Sequence, residues 1–180
     1  RVDVLPGSMD NLPMFWGLQT IQAFHSVVPS SIMDFYESVG VERGVASRPE
    51  WSHQGLRALL SVRWLIDPDN DSVDEINQYS GWRYDHEVLG YGIYENENYI
   101  PMGFTYDQFI TLDGWEACAQ SSREKLLLHA ILLDDTQVEK YKDILQLLPL
   151  CDEDLALEEQ LYGAQEDDSE DWMPDIGDYI

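Results

Sequence analysis

The sequence predicts an α/β (α+β) fold: a single domain in which a mixed β-sheet packs against helices, with an acidic C-terminal tail appended. Three observations predict it. Short runs of strand length, rich in branched and aromatic residues, recur at 2–5, 62–66, 84–88 and 91–95. Between them lie stretches of helical spacing, with Ile32, Phe35, Tyr36 and Val39 in one and Leu126, Leu127, Ala130 and Leu133 in another. A chain of 180 residues, 44% of them hydrophobic, buries a sizeable core without needing a disulfide or a metal.

Taken in order, residues 2–5 read as a short strand stopped by Pro6-Gly7. Asp10 or Asn11 caps a short helix running to Trp16, with Pro13 tolerated in its first turn and Gly17 ending it. Residues 20–28 have strand-like content. Ser30 caps the next helix, and Gly40 stops it. Residues 41–52 are a loop, 55–60 one or two helical turns, 62–66 a buried strand and 67–74 an acidic turn. A hairpin breaks at Leu89-Gly90, between 84–88 and 91–95. Residues 101–110 are another strand. Helices over 113–133, broken near Gln120, and over 136–147 follow, and Pro149 closes the folded part.

The composition then shifts. The last 30 residues carry 12 acidic residues and neither Lys nor Arg; the other 23 acids and all 10 basic residues lie before them. This divides the chain into a domain over 1–150 and an acidic segment over 151–180. That segment should be helical around Leu155, Leu157, Leu161 and Tyr162, then solvated and mobile from Gln165 onward. A net charge of −25 excludes nucleic acid as a partner and disfavours adhesion to anionic lipid, since both are negative. No run reaches the roughly 18 apolar residues of a membrane span. The chain opens on Arg1-Val2-Asp3-Val4 without an initiator Met and reads as a piece of a longer protein, so the lack of a span or leader says nothing of its parent. Cys118 and Cys151 either pair or stand as two separate thiols.

The most unusual stretch is 11–36, NLPMFWGLQTIQAFHSVVPSSIMDFY. It holds Phe15, Trp16, Phe24, Phe35 and Tyr36, has no Lys or Arg, and is expected to lie mostly in or against the core. Polar residues inside such a stretch are either internal struts or the lining of a site. On the second reading Gln22, His25 and Ser26 hydrogen-bond a sugar hydroxyl or a phosphate, while Trp16 or Tyr36 stacks on a sugar face. On the first, His25 is satisfied inside the core. Arg57 is a structural cation or a phosphate clamp. Arg63, in the apolar run ALLSVRWLI, is expected to be a buried, ion-paired strut, with a phosphate clamp as the alternative. Asp67, Asp69 and Asp71 match the start of a calcium loop. The match then fails: Ser72 stands where the turn glycine belongs and Gln78 where the bidentate Glu belongs. Tyr94-Glu95-Asn96 forms either a hairpin turn or a polar loop that meets glycan. No metal site, cofactor or catalytic triad is expected.

Four pieces together resemble a known family. They are the 11–36 stretch, GLRALLSVRWLID at 55–67, GYGIYENENYIPMGFTYDQFI at 90–110 and REKLLLHAILL at 123–133. Their order and spacing resemble the large extracytoplasmic region of the bacterial YfhO membrane proteins. FHSVVPSSIMDFY and PMGFTYD are the specific phrases; the leucine helix is not specific, and the acidic end after Cys151 departs from the pattern. The resemblance implies a parent that spans the membrane many times. It also implies a glycosyltransferase that uses a polyprenyl-phosphate sugar to modify lipoteichoic or wall teichoic acid in Gram-positive bacteria. The acidic catalytic residue of such enzymes lies in an early extracytoplasmic loop outside this chain. The chain is then an accessory, non-catalytic domain on the extracytoplasmic face of the cell membrane. Its partners are the membrane-embedded remainder of its own protein and, as ligand, the polymer or the sugar donor. The rival readings are a cell-surface carbohydrate-binding module and a protein-interaction module without catalysis.

Overall fold

The computed structural model describes residues 1–5, 11–24, 27–41, 46–47, 49–79 and 81–150. His25, Ser26, Cys151 and the whole acidic segment lie outside the described residues, as do the expectations attached to them. The architecture is α+β, with a mixed sheet and helices in one domain.

The main sheet has four strands in the order β1-β4-β6-β5: β1 (Val2–Val4), β4 (Trp64–Asp67), β5 (Trp82–Val88) and β6 (Tyr91–Asn96). β1 runs parallel to β4, with Val2 opposite Trp64; β6 runs antiparallel to both β4 and β5. The parallel β1–β4 pair needs a long crossover. It is supplied by α1 (Leu12–Phe15), the two-residue strands β2 (Ala23–Phe24) and β3 (Ala46–Ser47), α2 (Ser30–Ser38) and α3 (Gln54–Leu59). Strand alternation gives the sheet two apolar faces. Leu65 and Tyr94 pack with Leu5 and with Ile76 of α4 (Val73–Asn77) on one face, beside Trp51 and Trp82. Val2, Val4 and Ile66 pack with Trp64, Tyr91 and Ile93 on the other.

A second sheet is parallel and has three strands in the order β8-β7-β9: β7 (Gln108–Thr111), β8 (Ile131–Leu133) and β9 (Gln146–Leu147). α5 (Leu112–Ala117), a 3-10 turn at Gln120–Ser122 and α6 (Arg123–His129) connect β7 to β8; α7 (Asp135–Tyr141) connects β8 to β9. Thr111 caps α5 by accepting from Gly114 N at 3.2 Å. Asp134 caps α7 in a reciprocal capping box with Gln137. Tyr36, Val39, Val41, Leu56, Ile110, Trp115, Cys118 and Ala130 form the largest buried cluster, which joins α2 and α3 to this second sheet. Cys118 Sγ lies 3.1 Å from Gly114 O.

Several boundaries differ from the sequence expectation, each for a physical reason. The helix expected over 113–133 ends at His129, because Ala130 turns extended and residues 131–133 pair with β7. The helix expected over 136–147 ends at Tyr141, because Gln146 and Leu147 also pair with β7. Of the strand expected over 101–110 only 108–110 forms, and it runs on to Thr111. Asn11 does not cap α1 through its side chain: its Oδ1 accepts from Phe24 N at 2.9 Å and pins the helix to β2. Ser30 is the first helical residue of α2, and Pro29 occupies the cap position.

The hairpin turn falls where expected. Leu89 and Gly90 both have positive φ, 53° and 87°, as a type I′ turn demands. Leucine is a poor choice for that conformation, which costs an L-residue with a Cβ roughly 1–2 kcal/mol. Leu89 is also 92% exposed, so no packing within the domain offsets that cost.

Candidate functional site

Gln22, Tyr36 and Arg57, three of the residues that the sequence suggested for a ligand, are buried within the fold. Gln22 is buried and donates to Val4 O at 2.8 Å, tying the crossover to β1. Tyr36 lies in the large core cluster beneath α2. Arg57 is 1% exposed; its Nε donates to Asp3 Oδ2 at 2.8 Å. Its two terminal nitrogens donate to the carbonyls of Glu50, His53 and Pro49 at 2.8, 3.0 and 3.1 Å, and its guanidinium stacks 4.6 Å from the Trp51 ring centroid. This geometry satisfies the cation from within the protein. Trp16 lines a groove.

Arg63 changes places with Arg57. Ser61 adopts φ 59°, and the strand expected over 62–66 begins only at Trp64, so Arg63 lies just before it. The Arg63 side chain is 49% exposed. It reaches Glu95 on the neighbouring strand at 3.0 and 3.2 Å and lies over the rings of Trp64 and Tyr99. The ion pair across the sheet is present, but the burial is not. Glu95 is shared with Arg83 at 2.5 Å. A solvated pair of this kind is worth about 0–1 kcal/mol. Arg63→Met should therefore shift the thermal unfolding midpoint by only a degree or two; a large loss would show that the cation is structurally essential.

Two adjoining cavities, of about 350 and 410 Å³, open between α3 and α6. They share Gln54, Gly55, Tyr79 and Lys125 in their walls. In the wall of the larger one the buried Glu124 carboxylate lies 3.0 Å from His53 Nδ1 and accepts from Gly55 N at 3.2 Å. That carboxylate fixes the imidazole and favours the tautomer with the proton on Nδ1. It also clasps the start of α3 to α6, and Gly55 fits because a Cβ there would press on the Glu124 side chain at 3.2 Å. With Asn98 and Ser52 nearby, the walls carry hydroxyl, amide, imidazole, carboxylate and ammonium groups, which can hydrogen-bond polar ligands such as sugar hydroxyls. This cleft is not legible in the sequence, since its residues are spread from 52 to 128. Among the described residues no group of His, Cys, Asp or Glu could hold a metal ion. Asp67, first in the calcium-like pattern, is buried and accepts from Ser72 N at 2.9 Å and Ser72 Oγ at 3.2 Å.

A third groove, of about 510 Å³, lies on the opposite face of the main sheet. Trp16 and Leu18 form one wall, and Val88, Leu89, Tyr91 and Ile93 the other. The Trp16 and Tyr91 rings meet edge to face at 5.6 Å, tying α1 to the hairpin. The expectation that the 11–36 stretch is mostly core is corrected here. Phe15 is 78% exposed, and Met14, Trp16, Leu18, Phe24, Val27, Ile32 and Met33 are exposed as well.

With this geometry in view, the comparisons place the chain among bacterial membrane proteins. Residues 1–170 match the family described as "Bacterial membrane protein YfhO", and the chain belongs to that family. It is 23% identical over 137 residues to a protein of Bacillus subtilis (strain 168) described as "Uncharacterized protein YfhO"; the match covers 75% of this chain and 16% of that relative. The chain therefore corresponds to a small part of that relative's length. No solved structure matches it. Among the described residues, no helix is long and apolar enough to cross a membrane.

Proposed function

We propose that this chain is the extracytoplasmic, non-catalytic domain of a polytopic YfhO-family glycosyltransferase. That enzyme would transfer sugar from a polyprenyl-phosphate donor to a cell-envelope polymer, lipoteichoic or wall teichoic acid. Family membership over residues 1–170 carries this reading. Two physical features support the accessory role. The cations best placed by sequence to clamp a phosphate, Arg57 and Arg63, are engaged by Asp3 and Glu95. The charge of −25 also opposes laying a polyanionic polymer along this surface. The domain then shapes the space above the membrane helices and meets uncharged sugar at most, through the cleft between α3 and α6.

A second reading, a carbohydrate-binding module without catalysis, draws on the same cleft. The test is a comparison of the full-length protein with a version lacking residues 1–150, both in membranes supplied with donor and acceptor. Transfer should fall at least tenfold on deletion, while the 180-residue chain alone turns over no donor. Turnover by the chain alone, or full activity without the domain, contradicts the proposal. Glycan-array binding by the chain, with no transfer activity in the full-length protein, favours the module.

A further inference from the structure

The apolar face built by α1 and the β5–β6 hairpin tip does not behave like ordinary surface. Residues 11–33 contain no Asp, Glu, Lys or Arg, in a chain that is 25% charged. Within that stretch Met14, Phe15, Trp16 and Leu18 are exposed, and across the groove from Trp16 stand Val88 and Leu89. Contiguous exposed apolar surface of this kind marks a partner. Leu89 strengthens the point, because a left-handed turn position that favours Asn or Gly instead carries a large aliphatic side chain held out from the domain.

We propose that this face inserts into the interfacial layer of the lipid bilayer, with Phe15 and Leu89 as wedges and the Trp16–Tyr91 pair at headgroup level. Charge selects the bilayer as the occupant. The chain is strongly acidic and is repelled by an anionic membrane, and Asp85 and Glu87 flank the hairpin, so the uncharged 11–33 stretch and the Leu89 tip are the parts that can approach a bilayer closely. Its composition, aromatic rings with amphipathic edges beside aliphatic tips, is that of protein surface seated at the membrane–water boundary. Membership in a membrane-protein family puts a bilayer within reach. Tethering to membrane segments raises the local lipid concentration, so a weak wedge suffices. The inference rests on that membership and not on the glycosyltransferase reading.

The test uses the 180-residue chain with phosphatidylcholine vesicles and reads co-sedimentation and tryptophan quenching by brominated lipid. The chain should partition measurably at millimolar lipid, with quenching that is largely lost in Trp16→Phe. Phe15→Ser with Leu89→Asn should lower partitioning at least tenfold. Leu89→Asn should also keep or raise the melting temperature, because Asn suits the turn, which separates lost binding from lost folding. Replacing half of the lipid by phosphatidylglycerol should weaken binding at low salt and restore it at high salt. No partitioning, or equal partitioning by the double variant, overturns the proposal. So does a concentration-dependent dimer that the double variant abolishes, since the face then belongs to a second copy. Partitioning seen only after removal of residues 151–180 overturns it as well, because the chain's own C-terminal segment is then the occupant.

Discussion

Replacing Arg57 by Met is expected to destabilise the domain by about 3–5 kcal/mol, because it strands a buried carboxylate. Asp3 is 1% exposed, and its Oδ2 accepts a hydrogen bond from Arg57 Nε at 2.8 Å. Its Oδ1 accepts from Val4 N at 2.9 Å, which does not replace the lost cation. The carbonyls of Pro49, Glu50 and His53 lose the guanidinium's hydrogen bonds in the same step, though Glu50 O still accepts from His53 N at 3.1 Å. A loss of that size is a large part of the roughly 5–15 kcal/mol that holds a domain together. Urea unfolding followed by tryptophan fluorescence measures it. Pairing Arg57→Met with Asp3→Leu should recover part of the loss, since removing both charges leaves no ion unpaired. If the single variant unfolds like the native chain, the ion pair does not anchor α3 to β1.

The neighbouring position gives the second large effect. Leu56→Ala should cost about 2–5 kcal/mol, through lost apolar transfer and the cavity left behind. Leu56 is fully buried among Tyr36, Val39, Ile110, Trp115 and Ala130. Successive residues on a helix point about 100° apart, so Leu56 and Arg57 face different neighbours. Arg57 fastens α3 to the four-stranded sheet, and Leu56 fastens it to the three-stranded one. One six-residue helix therefore joins the two sheets. Ile144→Ala, on an exposed side chain, should shift stability by no more than about 0.5 kcal/mol and serves as the control. Calorimetric or urea unfolding compares the two variants, and equal losses would contradict the burial assigned to Leu56.

Much of the main sheet was legible in the sequence. Leu89-Gly90 between two alternating runs announced the hairpin, and Gly40, at φ 82°, announced the end of α2. Of the second sheet only β7 was legible, within the strand expected over 101–110. Leu126, Leu127, Ala130 and Leu133 keep helical spacing, yet residues 131–133 are a strand. A three-residue apolar run carries no period of its own, and only the β7 edge that receives it decides its form. The two arginines were equally ambiguous, since each has apolar neighbours. Whether Arg57 or Arg63 is buried depends on Asp3, which lies 54 residues before Arg57. The aromatic stretch misled for a different reason: apolar residues usually lie inside, but nothing forbids their exposure where a partner covers them. The cleft between α3 and α6 was invisible because its walls come from distant segments.

The central claim, that this domain of a YfhO-family membrane protein faces the outside of the cell, is tested most directly by site-specific labelling in intact cells. Ile144 is 76% exposed and far in sequence from the lipid-facing wedges, so Ile144→Cys offers an accessible thiol. The unsubstituted full-length protein serves as the blank for Cys118 and Cys151. A membrane-impermeant maleimide should label the variant in intact Gram-positive cells as fully as it does after permeabilisation. Labelling only after permeabilisation would place the domain in the cytoplasm and contradict the account.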